Sequence, residues 1–66
     1  MTTEPPSEAE IDESVFHRVT SQVERGYASS TAYRVVATRI GMPYTEVRGR
    51  YWRHVQAWLS RQEAAR

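Results

Sequence analysis

The 66 residues contain no cysteine and no lysine. The first absence excludes a disulfide staple and a thiolate metal site. His17 and His54 are then the only imidazoles, too few for a structural zinc site. The second absence makes all nine cations arginine. Their planar forks suit phosphate and guanine, although a GC-rich coding sequence would give the same bias. Apolar runs are short, and none reaches the length that spans a bilayer. The opening "MTTEPPSEAE" lacks the basic start and apolar stretch of a secretory signal, so a cytoplasmic location is expected. A chain this short is one small domain, which buries only about 60% of its unfolded surface.

What is present is unevenly distributed. Residues 1–30 carry six acids (Glu4, Glu8, Glu10, Asp12, Glu13, Glu24) against Arg18 and Arg25. Residues 31–66 carry seven arginines against Glu46 and Glu63. A net charge of +1 thus conceals an acidic half and a basic half. The basic half suits a polyanion or, equally, an ordinary solvated surface.

Hydrophobic spacing predicts an all-α chain. Residues 1–6, polar, acidic and closed by Pro5-Pro6, read as a disordered tail, with the domain over 7–63. Ser7 followed by Glu10 forms a capping box. Beyond it Ile11, Val15, Val19 and Val23, with Phe16 beside them, make an apolar helical stripe up to Gly26. Ser29 or Ser30 can cap a second helix buried through Ala32, Val36 and Ile40 and flanked by Tyr33 and Ala37. Gly41 ends it, and Met42-Pro43 makes a turn into a third helix from about residue 44 to about residue 62. There Val47, Tyr51, Val55 and Trp58 form the core face.

Opposite that face, at ~100° per residue, lie Thr45, Arg48, Gly49, Trp52, Arg53 and Gln56. Arginine and glutamine can make bidentate contacts to base edges, and a helix fits the major groove. Gly49 costs about 1 kcal/mol relative to alanine; either close approach of a partner justifies it, or, equally, it is simply a tolerated substitution. Arg48 and Arg53 either meet bases and phosphates or are solvated. Trp52 packs along a sugar-phosphate backbone, joins a protein interface, or folds back onto the first helix. Tyr44 either donates its hydroxyl to a phosphate or caps the core with its ring. Arg34 and Arg39 suit flanking phosphates or a plain solvent face. His54 reads as a packing histidine. Trp58 and Leu59 exceed the needs of a minimal domain; they cover the first helix or form a dimer seam.

The second half resembles helix-turn-helix regulators. Ala37, Gly41 and Val47 stand where that family has a small residue, a turn glycine and a locking aliphatic residue, and Val36, Ile40 and Met42 match its other apolar positions. "VRGRYWRHV", residues 47–55, is similar to the third helix of Myb/SANT and other homeodomain-like domains. The first helix has no matching tryptophan and the loop after Gly26 is shorter, so the broader homeodomain-like three-helix class is the one implied. Arg50 falls where bacterial motifs bury an aliphatic residue. In the Myb-like frame an arginine there pairs with an acid on another helix, which points to Glu24 or Asp12.

The resemblance implies a three-helix bundle with a helix-turn-helix motif, binding double-stranded DNA as a transcriptional regulator or accessory factor associated with the nucleoid. Arg34, Arg39, Tyr44, Thr45, Arg48, Gly49, Trp52, Arg53 and Gln56 are the candidate contacts, and a homodimer would read two half-sites. The alternative is a helical protein-interaction module using Trp52, Trp58 and Leu59. With no glycine-rich phosphate loop, nucleophile–base pair or metal spacing, no enzyme, cofactor, metal, membrane or small-molecule substrate is expected.

Overall fold

The computed structural model describes residues 4–65, so the expected tail lies partly outside them; residues 4–7 run exposed and non-helical into the first helix. The elements are α1 (Glu8–Glu24), α2 (Ser29–Ile40) and α3 (Tyr44–Ala64), with no strand among the described residues. None of these helices is long and apolar enough to cross a membrane.

Local chemistry sets the boundaries. The Ser7 hydroxyl accepts from the Glu10 N–H at 3.2 Å, the forward half of the expected capping box. Gly26, at φ 104°, reverses the chain after α1, and the Tyr27 N–H reaches back to the Gln22 carbonyl at 3.2 Å. This turn ends so early that Ala28, and not Ser29 or Ser30, becomes the N-cap of α2, with no side-chain cap bond. Gly41 takes the left-handed conformation at φ 67° and closes α2. Pro43 sits one place outside α3, its carbonyl accepting from Glu46 and Val47 at 3.0 Å.

The core is small and mostly valine: Val15 and Val19 from α1, Ala32, Tyr33 and Val36 from α2, Val47 from α3. An aromatic layer closes it, Phe16 stacking on Tyr51 at 5.4 Å and Tyr33 meeting Tyr51 edge-on at 5.5 Å. Val23, expected on the buried stripe, is 40% exposed, and Gln22 is buried in its place. Four-residue steps overshoot a helical turn by ~40° each, so the stripe drifts and its last member leaves the interface. Trp58 also departs from expectation. It is 50% exposed, on a stretch of α3 in which every residue from Gln56 to Ala65 is exposed.

A buried carboxylate ties α1 to α3. Asp12 is only 5% exposed. Its Oδ2 accepts from Arg53 Nε at 2.6 Å, and its Oδ1 accepts from Arg53 Nη2 at 2.7 Å and Arg50 Nη1 at 3.0 Å. Arg50 also donates to Glu8 at 2.7 Å and to Glu46 at 3.1 Å. Of the two acids expected opposite Arg50, Asp12 is the one that pairs. The Arg53 hydrogen bonds, and behind them Arg50, hold the Asp12 carboxyl below its ordinary 3.8 despite burial.

A carboxyl lowered in the folded state stabilises fully above its unfolded pKa, and that contribution is lost as pH falls below it. Asp12→Asn should therefore cost on the order of 2 kcal/mol at neutral pH, less than a wholly buried pair because Arg53 is open to water. In a domain this small that is a melting-temperature drop of roughly 10 °C. Thermal unfolding followed by circular dichroism checks it. The gap between wild type and variant should narrow as pH falls below the ordinary aspartate range.

Candidate nucleic-acid interface

α3 shows a different surface in each direction around its axis. Val47, fully buried, faces the core with the half-buried Tyr51, His54 and Val55. His54 packs its ring on Phe16 at 4.6 Å, as expected of a packing histidine. Arg50 and Arg53 face α1. Thr45, Arg48, Gly49, Trp52 and Gln56 are exposed, and the first four form a compact set two turns long.

Arg53 is the member of the candidate set that the structure removes from the outer face. Its side chain is 59% exposed, yet both Nε and Nη2 point at Asp12, and Glu8 lies 3.9 Å from Nη2. The reason is reach. Its Cα lies near the edge of the outer face, and a long flexible stem lets the guanidinium fold back to a carboxylate that has few other partners. Arg53 therefore clamps α1 and does not stand free.

Three acids near the start of α3 are engaged in the same way. Glu8, Asp12 and Glu46 all engage Arg50, and Asp12 engages Arg53 as well. Among the described residues Arg34, Arg39 and Arg48 make no salt bridge. Arg48 and Arg39 are exposed, Arg39 in the last turn of α2, where the helix dipole favours a cation. Arg34 places its guanidinium carbon 6.0 Å from the centre of the Tyr44 ring, within cation–π range. Tyr44, half-buried and edge-on to Tyr33 at 5.9 Å, uses its ring to cap the core at the start of α3.

Trp52 leans on its own domain and still faces outward. Its ring meets Tyr51 edge-on at 5.5 Å, and it remains 51% exposed. It does not fold back on α1. The outer face thus offers one unpaired guanidinium, a half-open indole, a hydroxyl and an amide around a glycine. A Cβ built on Gly49 would meet no atom within 4 Å, so nothing in this chain's packing requires glycine there.

Asp12 was expected only as one of two possible partners for Arg50; its burial and its paired bonds to Arg53 were not foreseen. A signal was present: Asp12 lies between Ile11 and Val15 on the apolar stripe, four residues before Phe16.

No protein-family model, characterised protein or solved structure matches this chain.

With open space at Gly49, Gly49→Ala should raise stability by roughly 0.5–1 kcal/mol through helix propensity alone. A thermal or urea melt reads this directly, and a lower midpoint would show a constraint on position 49 from within the domain.

Proposed function

We propose that this chain binds double-stranded DNA as a small transcriptional regulator or accessory factor of the homeodomain-like class, α2 and α3 acting as a helix-turn-helix unit. α3 would enter the major groove by the face bearing Thr45, Arg48, Gly49, Trp52 and Gln56. The observation that carries this reading is charge segregation: Glu8, Asp12 and Glu46 are engaged by Arg50 and Arg53 toward α1, and Arg48 makes no salt bridge on the other side of α3.

Each candidate has a role in that pose. Arg48 and Gln56 carry the forked donors and acceptors that read base edges. Thr45, near the start of α3, and Arg34 and Arg39 on α2 would hold phosphates, the contacts that fix register without reading sequence. Tyr44, whose ring is engaged with the core, keeps its hydroxyl for a phosphate. Gly49 leaves the ridge low enough for a sugar-phosphate strand or base edge to come close, and the open half of Trp52 would lie along it. Arg53 contributes by fixing the rotation of α3. In a cell such a protein belongs on the nucleoid.

A protein-interaction module is the second reading. An apolar groove lined by Phe16, Ala57 and Trp58 favours it, but that groove lies on the α1 side of α3, away from Arg48. Of the side chains expected to serve that module, Trp58 lines this groove, whereas Trp52 lies on the outer face and Leu59 is exposed outside the groove.

Fluorescence anisotropy with labelled duplex tests the DNA reading. Binding should weaken with salt at a slope of ~0.9 per phosphate neutralised. Arg48→Ala should lose about 1–3 kcal/mol of specific binding if its contact is bidentate. Its melting temperature should stay unchanged, because no ion pair is removed. Gly49→Ala should bind less well while melting higher. Absence of duplex binding at low salt would overturn the proposal.

A further inference from the structure

We propose that the groove between the N-terminal half of α1 and the C-terminal half of α3 seats a second copy of this chain, which inserts the 54–61 stretch of its own α3. The groove has a volume of about 950 Å³. Its floor is apolar, with Ala9, Phe16, Ala57 and Trp58 prominent, and half of the Trp58 side chain is exposed in the isolated chain. Burying an indole of this kind is a large source of association energy, and tryptophan is prominent among residues that dominate interfaces.

Charge identifies the occupant. The α1 wall bears Glu8 and Glu13, and the α3 wall bears Arg53 and Arg61. Among the described residues Glu13 pairs only with the His17 ring, at 3.6 Å, and Arg61 makes no salt bridge. The groove therefore has one acidic and one basic rim, each incompletely matched. In a twofold interface the same patch serves on both subunits, so each contact occurs twice. Turning one copy through that axis brings the acidic rim of each against the basic rim of the other. A partner of one charge sign would satisfy only one rim.

The helix itself supplies a second reason. Residues 56–65 are exposed throughout, although almost all of them are helical. Helical segments of this length are marginal in water without tertiary packing. A second α3 laid alongside provides it. His54, Ala57, Trp58 and Arg61 lie roughly half a turn around α3 from Thr45, Gly49 and Gln56, so pairing would leave both outer faces open. The inference does not depend on DNA binding.

Sedimentation equilibrium over a wide concentration range, without nucleic acid, tests it. A reversible monomer–dimer equilibrium is expected, and Trp58→Ala should raise its dissociation constant about thirtyfold, the effect of a hot-spot residue. Glu13→Arg and Arg61→Glu should each weaken self-association by placing like charges together twice. Mixing those two variants should restore the dimer, because the mixed pair has opposite charges at both contacts. All three changes fall on exposed positions, and circular dichroism verifies that the helices persist. A chain that stays monomeric, a dimer indifferent to Trp58, or charge variants that fail to recover on mixing would each overturn the proposal. So would assembly that continues past two copies.

Discussion

Asp12 fixes how the third helix is turned. Six residues form the fully buried core, four of them valines, and a smooth aliphatic surface of that size discriminates weakly between rotations of a helix upon it. A carboxylate that is 5% exposed discriminates strongly, since leaving it without counterions would cost far more than a lost packing contact. Arg50 and Arg53 reach it only when that edge of α3 faces α1. With Val47 inward and these two arginines toward α1, Arg48, Gly49 and Trp52 have nowhere to go but out. The outer face follows from an interaction on the other side of the helix.

Much of the architecture was legible because its causes are local. Ser7, Gly26 and Gly41 act on their own backbones, and their neighbours in sequence suffice to read them. Val47 and Val36 were legible through periodicity. Elsewhere the controlling information lay in a partner helix. A wheel drawn on α3 gives directions around one axis but not which directions a neighbour covers, or for how long. That is why Trp58, in register with Tyr51 and Val55, lines an open groove and stays half exposed. It is also why Arg53 appears on the outer face of the wheel while its guanidinium lies against α1. Asp12 could be named as a partner for Arg50, but its burial one residue after Ile11, and its second partner Arg53, depend on how α3 lies against α1.

Of the candidate contacts, the exposed ones on α3 and the two arginines of α2 remain available to a partner, and Arg53 does not. What changed between sequence and structure was the electrostatics more than the fold. Arg50 and Arg53 together face three carboxylates, so the most crowded part of the basic half is the part already neutralised. The arginines that matter for an external anion are the isolated ones.

This bears on how the small net charge should be weighed. A formal charge of +1 looks like a poor match for a polyanion. At physiological ionic strength, however, screening sets in over about 8 Å, much less than the 39 Å long dimension of the molecule. An approaching phosphate senses the charges within that radius and few others. The acids of α1 that bond to α3 are already paired there, and their remaining field is largely that of a dipole directed into the α1–α3 contact. Arg48 is not offset in this way. Total charge is therefore the wrong quantity for judging the outer face, and the local arrangement that Asp12 enforces is the relevant one.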